Sequence, residues 1–268
     1  MQEPPGPPPN LPPRRWATIE KIEHVTGRVT RLHLGGDEMR GFEPGRPGAH
    51  VKLILPPPGE TRPAIPERYE GRRAIFAEGV IPPTLRTYTP LRFDPNGVLE
   101  VELLEHGDGF ASNWVRRARV GDAIIVAGPR GGWDVPQDGD WYLVLADETA
   151  IPAATQVIGA LPPRKRILAF EVVDEGEKRA VTADGEPVRW LYRGPDAGRA
   201  GLALEEFAWG LDLPGGRGYA WVACEAGAMR RIRRHLIDDR QLSPERMVTR
   251  GYWKLGVKDH PDGDYGQD

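Results

Sequence analysis

Residues 141–161, WYLVLADETAIPAATQVIGAL, decide the fold of the second half of the chain. WYLVLA (141–146) is an unbroken apolar run of strand length, the pattern of a strand buried on both faces. IPAATQVIGAL (151–161) follows as a helix opened by Pro152, whose missing N–H costs nothing in a first turn. The rhythm then continues. RILAFEVV (166–173) and VRWLYRG (188–194) read as strands, LALEEFAWGL (202–211) as a helix and GYAWVAC (218–224) as a strand. AGAMRRIRRHLIDD (226–239) is an amphipathic helix and ERMVTRGYW (245–253) a closing strand. This alternation predicts a parallel sheet with helices on its faces.

Between Trp16 and Pro136 the pattern is instead one of short strands broken by Gly and Pro. WATIEKIEHVT (16–26), VTRLHLGG (29–36), AHVKLILP (49–56), TLRTYTPLRF (84–93), VLEVELLEHG (98–107) and DAIIVAGPR (122–130) predict a small antiparallel barrel or sandwich. One short helix, ASNWVRRA (111–118), interrupts them, and 56–83 reads as a long excursion. The expectation is therefore two domains, an antiparallel β-barrel at 14–138 and an α/β parallel-sheet domain at 139–257. A proline-rich disordered arm at 1–13 precedes them and a flexible tail at 258–268 follows. Open α/β sheets bind ligands at the carboxyl ends of their strands, so an enzyme or ligand binder with its site in the cleft between the domains is expected.

Composition removes several classes of function. With 36 Lys+Arg against 39 Asp+Glu among 268 residues, the net charge of -3 argues against a globally basic nucleic-acid binder. One cysteine, Cys224, excludes an internal disulfide framework and any multi-cysteine zinc or iron–sulfur site. The histidines (24, 33, 50, 106, 235, 260) show no metal-binding spacing. Apolar runs are strand-sized, well short of the roughly 18 residues of a membrane span, and the proline-rich start has no signal-like apolar region. No membrane partner and a cytoplasmic location are expected.

Four segments offer chemistry. In Arg86-Thr87-Tyr88-Thr89-Pro90, a strand places Arg86 and Tyr88 on one face, where guanidinium and phenol suit a ligand that is part anion and part aromatic ring; a solvated edge strand is the alternative. In 106–114, HGDGFASNW, two glycines before a helix start suit a pyrophosphate, or else Ser112 is an N-cap and the glycines a turn. ADETAIP (146–152) lacks G-x-G-x-x-G, which disfavours a generic dinucleotide phosphate site, although Thr149 and backbone N–H groups remain usable. In RGYWKLG (250–256), adjacent aromatics can cover a ring system or plug a core. Lys52, Arg130, Arg250 and Lys254 end predicted strands and are candidates to converge on the cleft. Arg230, Arg231, Arg233 and Arg234 read as a solvated helix face, and Cys224 as a buried apolar residue. Arg164, Lys165 and Arg166 meet a nucleotide 2′-phosphate or form only a basic turn. No nucleophile elbow or paired-carboxylate motif stands out.

Taken in order, RTYTPLRFD, HGDGFASNWVRRARVGD, AGPRGG, ADETAIPA and RGYWKLG resemble the siderophore-interacting protein family, flavin-dependent ferric-siderophore reductases related to ferredoxin–NADP reductases. The resemblance spans roughly 16–257. It implies an FAD-binding barrel followed by an NAD(P)H-binding α/β domain, with electrons passing from NADPH or NADH through FAD to siderophore-bound Fe(III). Carried over, Arg86 holds the FAD phosphates, Tyr88 packs on the isoalloxazine and Thr89 hydrogen-bonds near its reactive edge. His106, Gly109, Ala111 and Ser112 form the second FAD segment, Asp147 and Thr149 lie where the nucleotides meet, and Trp253 is the terminal aromatic near the flavin. Lys52, Arg130 and Lys254, with Arg250 competing, receive the anionic ferric siderophore. Three positions depart from the family pattern: Ala146 for Gly, Phe110 for Pro and Leu91 for Arg. Two competing readings are a ferredoxin- or flavodoxin-type NADPH reductase with a protein partner and a non-enzymatic ferric-siderophore binder; ferredoxin is also an alternative electron donor.

Overall fold

The structure, a computed structural model, describes residues 11–107, 109–182, 187–258, 260–261 and 263–266. Most of the expected arm at 1–13 lies outside the described residues. The chain divides into two compact units, Met1–Gly132 and Trp133–Asp268.

The first unit holds β1 (Arg14–His24), β2 (Val29–Gly35), β3 (Ala49–Leu55), β4 (Arg68–Glu70), β5 (Arg73–Ile75), β6 (Thr84–Tyr88), β7 (Pro90–Asp94), β8 (Val98–Leu104), the short helix α1 (Phe110–Val115) and β9 (Ala123–Gly131). Seven of these strands form an antiparallel sheet in the order β6-β3-β9-β1-β2-β8-β7. Alternation along β3 sends Val51, Leu53 and Leu55 into the core and Lys52 to the opposite face. The expected strand 84–93 is in fact two strands. Pro90 lacks an N–H and restricts the residue before it, so the ladder breaks at Thr89. That one residue joins the first strand of the sheet to the last, which requires the sheet to curl into a barrel. Trp114 and Val115 of α1 pack into the barrel core with Leu32, Leu34, Leu99, Val101 and Val126. The 56–83 excursion carries a hairpin that sequence reading missed, β4 and β5 joined through Gly71 at φ 59°.

The second unit holds β10 (Trp141–Asp147), α2 (Ile151–Ala160), β11 (Lys165–Val172), β12 (Arg189–Tyr192), α3 (Leu202–Trp209), β13 (Gly218–Glu225), α4 (Ala226–Asp238) and β14 (Met247–Trp253). Its five strands are parallel, in the order β12-β11-β10-β13-β14. β10 shows why its sequence is apolar throughout. Tyr142, Val144 and Ala146 pack with α2 on one face, while Trp141, Leu143 and Leu145 pack with α3 and α4 on the other. Strand order reverses between β10 and β13, so the topological switch point opens at Asp147 and Glu225.

Residues 258–268 were expected to form a loose tail. Where described, they are bonded to the sheet: Gly251 N–H donates to the Asp264 carbonyl (2.9 Å) and Thr249 Oγ1 to the Tyr265 carbonyl (2.6 Å). Among the described residues no helix is long and apolar enough to cross a membrane, and no three His, Cys, Asp or Glu side chains group as a metal site.

Candidate functional site

In the first unit, the β3–β6 ladder sorts the expected site residues by face. Directly opposed residues of an antiparallel pair share a face. Tyr88 opposes Val51 and Arg86 opposes Leu53, whereas Lys52 opposes Thr87. Arg86 and Tyr88 therefore lie on the core side of the ladder and Lys52 on the other side, where its Nζ donates to Thr87 Oγ1. Arg130 opposes His50, two residues before Lys52 on β3, so it is a neighbour of Lys52 and not of Arg86. Tyr88 is half-buried against the barrel core; burial pushes its phenol up, with Arg86 opposing the shift. Thr89 is buried at the crossing between the two edge strands.

Arg86 reaches toward α1, its Cζ 6.0 Å from the Phe110 ring centroid. The helix starts at Phe110 with Gly109 as N-cap, and among the described residues no side chain caps it. Ser112 is not the N-cap. Its hydroxyl donates to the His106 carbonyl and accepts from the His106 N–H, both at 3.1 Å, and at 2% exposure it pins the loop that leads into the helix. The His106 imidazole is lowered from its ordinary value by desolvation first and Arg28 second, which favours its neutral form. Asp108 lies outside the described residues. Among the described residues, the Arg86 guanidinium, the Tyr88 phenol ring and a helix start at Phe110 without a side-chain cap form a donor set that fits a flavin dinucleotide.

In the second unit, three expected residues meet at one carboxylate. Asp147 ends β10 at 4% exposure. Its Oδ1 accepts from Thr149 N–H (2.9 Å) and Thr149 Oγ1 (2.5 Å), and its Oδ2 from Trp253 Nε1 (2.8 Å). Burial raises the Asp147 carboxyl, while these bonds hold it down. A bulge in β14 makes the connection: register slips between Cys224 and Glu225, so that Trp253 stands opposite Glu225. Arg250, earlier on β14, lies with its Cζ 4.0 Å from the Tyr265 ring centroid. Lys254 is exposed just beyond the strand, bridged to Val257.

Sequence reading missed the buried charges along the same carboxyl edge. Glu171 accepts from the N–H groups of Gly201 (2.6 Å), Ala203 (3.0 Å) and Leu204 (3.3 Å), closing the start of α3. Its carboxyl is pushed up to about 7, chiefly by burial. Arg193 pairs with Glu148 (2.5 Å) and lies 3.7 Å from Glu171. Glu225 caps α4 through Ala228 N–H (2.9 Å) and accepts from Leu255 N–H (3.2 Å). A glutamate inside the apolar run RILAFEVV was the available signal.

Several expectations change. Lys165 begins β11, so Arg164 and Lys165 lie at the amino end of the parallel strands, the edge away from the switch point, and Arg166 donates to the carbonyls of Leu161 and Pro162. These residues form a structural turn. Arg231 is exposed, as expected of a solvated helix face, and it also grips Glu205 through two bonds (2.8 and 2.6 Å). Ala146, which departs from the family pattern, places its methyl in the layer packed on α2. Phe110 packs on the barrel core, and Leu91 sits at a register irregularity, next to an Arg92 that is paired with Glu100 (2.7 Å).

Comparison with known proteins matches residues 18–133 to the siderophore-interacting FAD-binding domain and 139–256 to the siderophore-interacting protein family. The chain is 28% identical to the NADPH-dependent ferric-chelate reductase of Escherichia coli (strain K12), over 89% of this chain and 92% of that protein. It is 26% identical to the ferric vibriobactin reductase ViuB of Vibrio cholerae, over 91% and 90%. A siderophore utilization protein from T. fusca of known crystal structure superimposes with a TM-score of 0.80 at 32% identity, over 93% of this chain and 96% of that one. The chain belongs to the siderophore-interacting protein family.

Proposed function

We propose that this protein is an FAD-dependent ferric-siderophore reductase, taking electrons from NAD(P)H and delivering them to siderophore-bound Fe(III) so that Fe(II) is released. The observation that carries the reading is the β3–β6 ladder, which sets a cation and a phenol ring side by side on one face and Lys52 on the other. Arg86, Tyr88 and Thr89, with His106, Gly109, Ala111 and Ser112, are the residues that hold FAD. When bound, FAD supplies the conversion between the hydride of NAD(P)H and the single electrons that Fe(III) accepts.

The protein contributes position and electrostatics. Arg86 offers a fork of donors to phosphate. Burial raises the Tyr88 phenol further and desolvation lowers the His106 imidazole, both of which disfavour a charge beside the ring system. Asp147 holds Thr149 and Trp253 in fixed relation. Lys52, Arg130, Arg250 and Lys254 receive the anionic chelate. Arg130 and Lys254 are exposed and Lys52 and Arg250 half-buried; an exposed cation contributes about 0–1 kcal/mol to binding, so the set acts mainly by steering and orienting, and affinity falls as salt rises. A cytoplasmic location belongs to the same proposal.

The test is an anaerobic titration of the FAD-loaded protein with NADPH and with NADH, followed by ferric chelates and a ferrous trap. Bleaching of the flavin absorbance, its recovery on adding chelate and trapped Fe(II) are expected. Recovery with ferredoxin but with no ferric chelate would replace this reading by a protein-partnered reductase. A protein that cannot be loaded with FAD would replace it by a non-enzymatic binder.

A further inference from the structure

The family match ends at residue 256, yet the chain continues and returns to the strand that carries Arg250. Its path is built in. The Asp264 carbonyl and the Tyr265 carbonyl accept from Gly251 N–H and Thr249 Oγ1, on either side of Arg250. The Asp264 carboxylate accepts from Arg230 (2.7 Å) and Gly266 N–H (3.1 Å) and pairs with His260 (2.8 Å). Gly251 makes room for this return: a Cβ there would stand 2.8 Å from Asp264 Oδ2 and 2.9 Å from the Ala226 Cβ. Gly266, at φ 66°, comes close to α4, where a Cβ would meet Met229 Sδ at 2.8 Å.

The outcome is an aromatic ring under a cation. Tyr265, still 46% exposed, lies against the Arg250 guanidinium at 4.0 Å. A guanidinium carbon held this close over a ring is kept in place by the contact, while N–H donors at the edge of the group can still meet an anion. The ring thus limits where those donors can meet an anion.

We infer that Asp264, Tyr265 and Gly266 form a positioning strap in which the Tyr265 ring orients Arg250 to receive the oxygen-rich, anionic face of the ferric chelate. The inference rests on the reading of Arg250 as a substrate cation. Tyr265 is a positioning residue, acting through Arg250. Because Thr249 Oγ1 bonds its backbone carbonyl, the strap stays in place when the side chain is cut back.

The experiment compares Tyr265→Ala, Tyr265→Phe, Arg250→Gln and the double variant Arg250→Gln/Tyr265→Ala, as FAD-loaded full-length protein. KM and kcat are measured with a trianionic iron(III) tris-catecholate and a neutral iron(III) trihydroxamate. Equilibrium binding of the redox-inert gallium(III) tris-catecholate to the oxidised protein supplies a readout without turnover. Tyr265→Ala is expected to raise KM for the trianionic chelate by about two- to fivefold, the range of one exposed cation–π contact, with kcat unchanged. The gallium complex should weaken in parallel, Tyr265→Phe should behave as the parent, and Tyr265→Ala should have no further effect once Arg250 is Gln. Additive effects in the double variant, or a Tyr265→Phe as impaired as Tyr265→Ala, would overturn the strap. An Arg250→Gln variant with unchanged KM and gallium binding would instead overturn the assignment of Arg250 to substrate, and the strap with it.

Discussion

Replacing Asp147 by Asn tests whether the carboxyl edge of the parallel sheet is held by one shared acceptor. Both carboxylate oxygens accept from the protein, Oδ1 from Thr149 and Oδ2 from Trp253 Nε1 at 2.8 Å. In Asp147→Asn, an amide oxygen kept toward Thr149 turns the NH₂ group onto the indole N–H, donor against donor. A buried hydrogen bond to a charged group is worth about 1.5–3 kcal/mol, so the variant should lose roughly 2 kcal/mol. Trp253→Phe removes the donor instead and leaves Oδ2 buried without it, at a cost of about 1–3 kcal/mol. In the double variant the facing donors are gone, and the loss should fall short of the sum of the single losses by about 1–2 kcal/mol. Scanning calorimetry at one fixed FAD concentration reads this out, since bound ligand shifts apparent stability. Both residues belong to the unit Trp133–Asp268, so its transition should move by a few degrees per kcal/mol while that of the other unit stays in place. Single losses that sum to the double within about 0.5 kcal/mol would refute a shared acceptor.

Three further perturbations have definite outcomes. The Glu171 carboxyl is raised from 4.5 to about 7, so the fold keeps a proton that the unfolded chain has already released. The stability this group contributes is complete below pH 4.5 and is lost as pH rises through about 7, on the order of 3 kcal/mol in all; denaturant midpoints of the parent minus those of Glu171→Gln should therefore decline across that window, and a flat difference would rule the shift out. Gly201→Ala demands an alanine at φ 83° and a Cβ 2.1 Å from that of Ala228, so urea unfolding should show a loss of at least about 2 kcal/mol, strain and overpacking combined. Arg86→Gln should weaken FAD binding by about 10- to 100-fold, the range of one charge-assisted contact, with melting of the FAD-free protein unchanged; an FAD titration within twofold of the parent would remove Arg86 from the cofactor site.

The second unit was legible because a parallel sheet buried on both faces writes near-continuous apolar runs, and Pro152 marks a helix start unambiguously. The first unit was harder where one segment serves two strands. Nothing in TLRTYTPLRF except Pro90 signals that Thr89 carries the chain from one edge of the sheet to the other, because the edges meet only after the barrel has closed. Site residues named singly could not be joined in advance: Trp253 and Asp147 are 106 positions apart, and a bulge in β14 that no local pattern announces brings them together. The basic run at 164–166 was read by charge alone. Its place before a strand, not after one, already assigned it to the edge that does not bind ligands.

The acids at that carboxyl edge resolve an apparent conflict. Asp147, Glu148, Glu171 and Glu225 are all buried around the switch point where an anionic nucleotide is expected, and four free carboxylates would repel it. Each, however, is turned inward onto a protein donor: Asp147 onto Thr149 and Trp253, Glu148 onto Arg193, Glu171 onto the start of α3 and Glu225 onto the start of α4. Glu171, raised to about 7, is half protonated at neutral pH, and the other three direct their charge onto a hydroxyl, an indole, backbone N–H groups and an arginine, which fixes two helices and an indole ring relative to the sheet. At the mouth of α2, by contrast, Ala150 is the N-cap and makes no side-chain cap. Among the described residues α2 is thus the helix of these three whose start no acidic side chain closes, and Pro152 in its first turn has no N–H that would need a partner.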